Sequence, residues 1–525
     1  MTFFKTIWVF IFFLFNFQNL VSQNLKDKPN VLFIICDDLN DYQGVFGGHP
    51  QAKTPHIDKL AASGVRFMNA QSNVPVCSPS RNSLITGVYP HVSLDYGWTD
   101  LKKQPVLKNN KTLIRYFKDN GYLTLGTGKI THGEIKEDWD EWGMPLKYNY
   151  GPVYFDGENR ISNPAVPAPF SSIGPIDGSF GRLSAGISEG IKGEKGWVYG
   201  PDNKPMRYIN DKDRDLMQDE LHAEWAVKKI KELDSRNDNQ PFFMGIGFVR
   251  PHTPLHAPDK YFDMFPLDKI ELEKWMIDDE KDTFYNTNFD PNDNDNNKGH
   301  RYYRMLLESY NGDRALALKH FLQAYLACVA FVDEQVGKVI DALNDSKFKD
   351  NTIIVFTSDH GWQMGEKNYL FKNSPWEEST RIPMIIKTPT SKSALTVEHP
   401  VSLIDLYPTL KDYCHLTGNN KFNESGGDLG GYSLKPFIEE NDAEWKGPNG
   451  ALTVVGNYGI KVQTQNQNFS YRTKYWRYIR YGNGQEELYN HKKDPYEWHN
   501  LASLKKYKKI KTRLFSEMDI ILNNK

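Results

Sequence analysis

The stretch VPVCSPSRNSLITG, Val74–Gly87, sets one cysteine between prolines and follows it with hydroxyls and an arginine. Pro79 comes two residues after Cys77 and a helical pattern starts near Ser80, which predicts Cys77 at a helix N-terminus. That end of a helix attracts anions, and Arg81 adds a fixed positive charge. A free cysteine is most often a buried small hydrophobe. A thiolate nucleophile is the second chemistry open to it.

Other groups with chemical potential sit where apolar runs end. NVLFIIC, Asn30–Cys36, ends in Asp37 and Asp38. NTIIVFT, Asn351–Thr357, leads into Asp359 and His360. PFFMGIGF, Pro241–Phe248, leads into His252. The three aspartates offer hard oxygen donors suited to Ca²⁺, although any one of them alone reads as a turn or capping residue. His360 is a softer donor than calcium usually takes. His252 and His132 are of a type that moves protons near neutral pH. Lys129 and Lys372 are compact cations; a lone lysine is more often a solvated surface charge.

Apolar runs of this length, rich in branched residues, suit strands buried on both faces of a parallel sheet. Helical spacing follows from Phe321 to Leu343, and Glu220–Leu233 is a second helix candidate. Strands alternating with helices predict an α/β architecture. In open α/β sheets ligands bind at the carboxyl ends of the strands, so Asp37, Asp38, His252, Asp359 and His360 are expected to converge. Residues 150–215, rich in Gly and Pro, and Asp278–His300, crowded with Asp and Asn, read as insertions. DPNDNDNN has Asp295 where a calcium loop needs glycine, and reads as a solvated loop. GTGK, Gly126–Lys129, is followed by Ile130 rather than Ser or Thr and is not a phosphate-binding loop. Beyond about Thr417 the composition turns Gly/Asn-rich and then β-rich, and ends in a Lys-rich helical stretch.

CSPSRNSLITG resembles the signature of the type I, formylglycine-dependent sulfatases, in which Cys-x-Pro-x-Arg is followed by a Leu-x-x-Gly-like tail. Cys77, Pro79 and Arg81 match the core, and Thr86-Gly87 the tail. NVLFIICDDLND, KTPHIDKLAASGVRF, GKITH, GFVRPHTP, FTSDHGWQMGEKNYLFKNSPWEESTRIPMII and ELYNHKKDPYEWHNL resemble further family segments, in order, over nearly the whole chain. The pairing of DDLN with SDHGW is similar to the iduronate-2-sulfatase branch; His360 replaces the commoner Asn and leaves the metal's identity open.

The resemblance implies an alkaline-phosphatase-like α/β fold: a large domain with a mainly parallel central sheet flanked by helices, and a smaller C-terminal subdomain with antiparallel sheet and helix. The expected division is a signal peptide at 1–22, a catalytic domain at 23–417, a linker at 418–450 and a C-terminal subdomain at 451–525. It implies formylglycine formed from Cys77 by a sulfatase-maturing enzyme, and one Ca²⁺ held by Asp37, Asp38, residue 77, Asp359 and His360. It further implies sulfate contacts from Lys129, His252 and Lys372, and a catalytic set of Cys77, Arg81, Lys129, His132, His252 and Lys372. In the implied reaction a hydroxyl of the hydrated aldehyde attacks sulfur, His252 with Lys372 protonates the leaving alcohol, and His132 assists release of sulfate. A sulfated glycan is the expected substrate, an algal polymer such as ulvan or carrageenan first and a glycosaminoglycan as the alternative. A phosphatase or phosphonate hydrolase on the same frame and a non-catalytic glycan-binding protein are the rivals.

The rest of the sequence is compatible with this reading. The chain has 525 residues and a formal net charge of -2, which does not suit a polyanion-coating protein, so nucleic acid is not an expected partner and anion recognition must be local. Lys5 followed by an apolar run from Ile7 to Phe15 has a signal-peptide pattern, which implies a periplasmic or secreted protein, with an N-terminal membrane anchor as the alternative reading. No later segment reads as apolar enough to span a membrane. Cys36, Cys77, Cys328 and Cys414 are too few and too scattered for a disulfide framework, and there is no CxxC zinc pattern.

Overall fold

The computed structural model describes residues 28–133, 135–144, 150–285, 298–391, 394–439, 444–456 and 463–523. The expected signal peptide and the segment DPNDNDNN lie outside these residues.

An eight-stranded sheet forms the centre. Its strands in chain order are β1 (Asn30–Cys36), β2 (Val65–Phe67), β3 (Leu123–Gly128), β4 (Glu141–Trp142), β5 (Phe242–Gly247), β6 (Thr352–Ser358), β7 (Met384–Lys387) and β8 (Leu395–Val397). Their spatial order is β8-β2-β7-β6-β1-β5-β3-β4. All pairs are parallel except those made by β7, which runs antiparallel to both neighbours. The strands expected from the three apolar runs are therefore β1, β5 and β6, and every residue in them is buried.

Register gathers the polar groups. Ile35 of β1 lies opposite Gly247 of β5 and Thr357 of β6, and Gly247 lies opposite Gly128 of β3. Four neighbouring strands thus end at one level, and the residues that follow them emerge side by side. Gly128, at φ +77°, turns the chain sharply there. A side chain at Gly247 would collide with the Lys129 carbonyl.

Helix α1 (Cys77–Thr86) is buried throughout; it starts at Cys77 itself, three residues before the helical pattern is evident. Helices α2 (Gln218–Asp234) and α3 (Arg314–Asn344) pack on each other and extend both predicted helices. Helix α3 is long and apolar enough to cross a membrane, contrary to the expectation that no later segment would be, but its apolar window is mostly buried in the core. The insertion at 150–215 is not the irregular stretch its weak periodicity suggests. It builds a six-stranded antiparallel layer from strands between Val153 and Arg214.

Near the C-terminus, β9 (Gly450–Val455), β10 (Asn468–Thr473), β11 (Trp476–Arg480) and β12 (Glu486–Asn490) form an antiparallel sheet in sequential order, followed by α4 (Lys508–Asn523). Leu452, Val454, Phe469 and Tyr471 share a core with Val74 and Val76, just ahead of Cys77. Val454 N–H donates to Asn73 O at 2.8 Å, and Thr453 Oγ1 donates to Ser72 O at 2.6 Å. The C-terminal sheet therefore supports the loop that delivers Cys77. The four cysteines are all free thiols and all buried.

Candidate active site

Cys77 is the first residue of α1, so its side chain sits at the positive end of the helix dipole. Around its sulfur stand groups from four strand ends. Lys372 Nζ is 3.1 Å from Cys77 Sγ and His360 Nε2 is 3.3 Å away. The Asp38 carboxylate lies 3.9 Å off. Lys372 also donates to both Asp38 oxygens, at 2.8 and 3.1 Å. His252 Nε2 is 3.8 Å from Asp38 Oδ2. Lys129 Nζ donates to Asp37 Oδ2.

Arg81, one turn into α1 and fully buried, holds two strand ends together. Its Nε donates to Asp359 Oδ2 at 2.9 Å and its Nη2 to Asp37 Oδ1 at 3.0 Å. Ser72 and Ser80 both donate to the Asp359 carbonyl, at 2.6 and 2.7 Å. Asp38 occupies a left-handed backbone conformation, φ +62°, which costs a non-glycine residue about 1–2 kcal/mol. Three bonds impose it: Asp38 N–H to Asp359 Oδ1 at 3.2 Å, Leu39 N–H to Ser358 Oγ at 3.0 Å, and Tyr325 O–H to Asp38 O at 2.7 Å. Backbone strain of this kind gathers at functional sites; here it aims the Asp38 carboxylate at Cys77.

Burial and charge set the protonation states. Burial alone would raise the Asp37 carboxyl, but Lys129, His252 and Arg81 hold it well below the usual carboxylate range. Asp38 is pushed up to about 8, by burial more than Lys372 can offset. Burial also raises the Cys77 thiol, with Asp37 adding to the effect. Lys129 and Lys372 are raised against the effect of burial, chiefly by Asp37 and Asp38 respectively, and stay cationic. Burial and then Lys372 lower His252 well below its ordinary value, so the imidazole is neutral. Its Nδ1 faces the Thr253 carbonyl, which leaves the lone pair on Nε2.

The donor set fits a hard divalent cation. One ligand atom from each of Asp37, Cys77, Asp359 and His360 falls within 4.8 Å of the others, and the same is true of Asp37, Asp38, Cys77 and His252. His360 Nδ1 donates to the Gly361 carbonyl at 3.0 Å, which directs its Nε2 lone pair to the cluster, as in metal-binding histidines.

Comparison with known proteins agrees with this geometry. Residues 29–416 match the family model described as sulfatase, and residues 365–524 match the model for the N-sulphoglucosamine sulphohydrolase C-terminal region. The chain belongs to the sulfatase family. It is a sulfuric ester hydrolase of the alkaline-phosphatase-like superfamily. A sulfatase of Formosa agariphila is 32% identical over 93% of this chain and 85% of its own. Mouse iduronate 2-sulfatase is 28% identical over 70% of this chain and 61% of its own. An ulvan-active sulfatase of Formosa agariphila is 25% identical over 97% of this chain and 83% of its own. Among solved structures, one in complex with its substrate D-glucosamine-2-N,6-O-disulfate aligns with TM-score 0.65 and 21% identity, over 94% of this chain and 97% of that one. The phosphonate monoester hydrolase of Agrobacterium radiobacter aligns with TM-score 0.67 and 20% identity, over 94% and 95%. These structures share the fold.

Of the residues singled out from the sulfatase motifs, Asp37, Asp38, Cys77, Arg81, Lys129, His252, Asp359, His360 and Lys372 come together around one point. His132 stands apart, exposed at the rim, with its ring 4.8 Å from that of Trp98. Desolvation on its inner side and the Lys129 charge lower it to about 4. Two neighbours of the site carry no motif. The Tyr150 ring lies 4.8 Å from the His252 ring and 4.7 Å from Lys129 Nζ. Trp98 is 60% exposed. Tyr150 opens the insertion and Trp98 sits in a loop, so neither had a periodic pattern to mark it.

Proposed function

We propose that this sulfatase removes sulfate from a sulfated polysaccharide or its oligosaccharides, an algal glycan such as ulvan first, with formylglycine at position 77 and one calcium ion. The observation that carries the reading is the placement of Lys372, 3.1 Å from Cys77 Sγ and 2.8 Å from Asp38 Oδ1. One cation thereby touches both the nucleophile position and a metal-ligand carboxylate. The ulvan-active relative and the neighbour bound to a disulfated glucosamine support the glycan class. Export to the periplasm or medium, where such polymers are met, follows from the signal-peptide pattern, and a maturing enzyme must convert Cys77.

Asp37, Asp38, Asp359 and His360 would hold the ion, which supplies Lewis-acid polarisation of sulfate oxygens. Formylglycine, as its hydrate, supplies an oxygen nucleophile where Cys77 Sγ stands, and its second hydroxyl permits a release step that a thiol cannot perform. The chain's own side chains do the rest. Arg81 fixes Asp37 and Asp359. Lys129 and Lys372 are cations on flexible stems that can exchange a carboxylate for a sulfate oxygen, so they offset charge growing on the sulfuryl group. His252, neutral in the resting pocket, gains proton affinity when an anionic ester lies beside it and then donates to the leaving alcohol oxygen. His132, held neutral at the rim, is available to accept a proton during sulfate release.

Peptide mass spectrometry of active protein should find the aldehyde or its hydrate in place of the Cys77 thiol, and elemental analysis should find calcium. Full activity from the unmodified thiol would overturn the chemistry. Paired sulfate and phosphate esters of one alcohol should show preference for sulfate. Preference for phosphate would favour the phosphonate-hydrolase-like alternative that the second structural neighbour represents.

A further inference from the structure

We infer that Trp98 is a stacking platform for a pyranose ring, a sugar-binding subsite at the mouth of the sulfate pocket. This rests on the glycan reading above and adds the residue that grips the sugar. Trp98 is the most exposed tryptophan among the described residues, at 60%, whereas Trp139, Trp197, Trp362 and Trp376 are buried. An exposed indole offers a flat apolar face and a polar N–H, a surface that suits an amphipathic ligand.

Its place in the fold says which ligand that is. The backbone of this loop is tied to the helix that carries Cys77. The carbonyl of Thr99, the next residue, accepts from Ser78 Oγ at 3.4 Å and Asn82 Nδ2 at 3.2 Å. Asn82 also donates to Asp95 Oδ2 at 2.9 Å, on the other side of Trp98. Ser78 and Asn82 lie one and five residues after Cys77, so the loop is fastened to the first turns of α1. The indole contacts His132, three residues beyond Lys129. It therefore flanks the mouth on the side of a sulfate-facing lysine, held on a rigid support.

The ligand at that place is the alcohol part of the ester, since the sulfate group occupies the cationic floor. A pyranose ring is amphipathic: its C–H face suits an aromatic face, and its hydroxyls turn toward water and polar groups. Polar side chains set orientation in such clefts while aromatic ones supply contact area. The neutral His132 imidazole beside the indole is a hydrogen-bond partner for a ring hydroxyl. Tyr150, next to His252 and Lys129, bounds the pocket above the acid and the sulfate lysine.

The test compares wild type, Trp98→Phe and Trp98→Ala on whichever ulvan-, carrageenan- or heparin-derived sulfated oligosaccharide the wild type desulfates. Inhibition by inorganic sulfate, which has no ring, is measured in parallel, with a melting curve for each protein. Trp98→Ala should raise KM for the oligosaccharide about two- to tenfold, the range of a lost aromatic stacking contact. kcat, the sulfate inhibition constant and the melting temperature should stay near wild type, and Trp98→Phe should recover part of the loss. An unchanged KM overturns the subsite. So does equal weakening of oligosaccharide and inorganic sulfate, because Trp98 would then act through His132 on the sulfate pocket. If the wild type hydrolyses aryl sulfates and none of the three oligosaccharides, the glycan reading itself falls and takes the subsite with it. That result is distinct from one in which the glycan is cleaved and only the Trp98 effect is missing.

Discussion

Two buried charge clusters of this sulfatase look alike and do different work. Around Cys77, the carboxylates of Asp37, Asp38 and Asp359 face Arg81, Lys129 and Lys372. At the joint with the C-terminal sheet, Glu377 and Glu497 face Arg472, Arg477 and His491. Both bring acids and histidine close enough to hold a metal. The difference lies in which cations answer the acids. In the joint, arginine forks close on both glutamates: Arg472 Nε is 3.0 Å from Glu377 Oε2, and Arg477 Nε is 2.5 Å from Glu497 Oε1. A planar guanidinium suits a carboxylate and stays there. In the pocket a single arginine binds the frame, and the other two cations are lysines on flexible stems. The pocket's acids and bases balance formally, so a divalent cation there leaves it positive and ready for an anionic ester. The joint balances as well, but its arginines already occupy the place a metal would take.

The joint is thus a fastening, and its location explains its value. Arg477 Nη1 and Ser470 Oγ both donate to the Pro375 carbonyl, at 3.2 and 2.8 Å, and Trp376 Nε1 donates to Glu487 Oε2 at 3.0 Å. The C-terminal sheet therefore grips the segment just after Lys372 as well as the loop before Cys77. A cavity of about 640 Å³ lies against this joint, lined by Glu377, Arg472, His491 and Glu497, and none of Cys77, Lys129, His252 and Lys372 lines it. Neither buried charge nor open volume alone locates the chemistry. The convergence of groups from several strand ends on Cys77 does.

Asp38→Asn should separate the two clusters most clearly. Because burial raises the Asp38 carboxyl to about 8, its charge is unfavourable to the fold and serves the site. The variant should lose activity by about 10²–10³-fold and lose bound metal, and its melting temperature should fall less than that of a variant of the joint, because the Lys372 ammonium loses only a partner whose own burial is unfavourable. Kinetics, elemental analysis and a melting curve on one preparation decide it. A large drop in melting temperature would show that the pocket is a structural ion cluster like the joint.

Arg477→Met should do the reverse. Removing one partner of a buried pair leaves Glu497 and Glu377 with too little compensation, at a cost of about 3–5 kcal/mol. Activity well below the melting range should persist, because Lys372 is held separately by Tyr369 O–H donating to its carbonyl at 3.1 Å. Replacing Glu497 by Gln in the same protein should recover part of the lost stability. Denaturant unfolding of the single and double variants, with kcat beside it, checks both statements. Loss of kcat without loss of stability would assign Arg477 to the site.

The pocket was far more legible in the sequence than the joint, for physical reasons. Strands buried on both faces must be apolar along their length, so β1, β5 and β6 stood out, and the acids and His252 that follow them could be placed together. The start of α3 was not seen, although Asp313 caps it through Leu316 N–H at 2.9 Å, because its first turns carry Leu316 outward and break the apolar period. Short antiparallel strands in 150–215 alternate too briefly to register. Arg472, Arg477, Glu377 and Glu497 drew no reading from the sequence, since pairing between distant residues leaves no local pattern. Trp98 escaped notice because one exposed aromatic in a loop carries no period at all.

The smallest effect should appear in acid, and it separates charge from packing in the joint. Burial alone would raise the Glu497 carboxyl, but Arg477 and His491 lower it from 4.5 to about 2. Glu377 is likewise held well below its ordinary range, by Arg472 and Arg477 against burial. A carboxyl with a depressed value in the folded state binds fewer protons there than in the unfolded chain. Its contribution to stability is complete above about 4.5 and is lost as pH falls toward about 2. Many other carboxyls titrate in the same window, so the wild-type melting curve alone cannot isolate the joint. The difference between wild type and Arg477→Met removes that background. This difference should be largest at neutral pH and above, where the variant's buried Glu497 is charged without Arg477, shrink as acid protonates the glutamates, and nearly vanish by about pH 2. High salt should alter it little, since the pair is buried. A difference that stays constant down to the lowest pH measured would mean that Arg477 stabilises the joint through its packed stem and its bonds to Pro375 and Ser470, and the joint would then be a packing contact in which the charges merely neutralise one another.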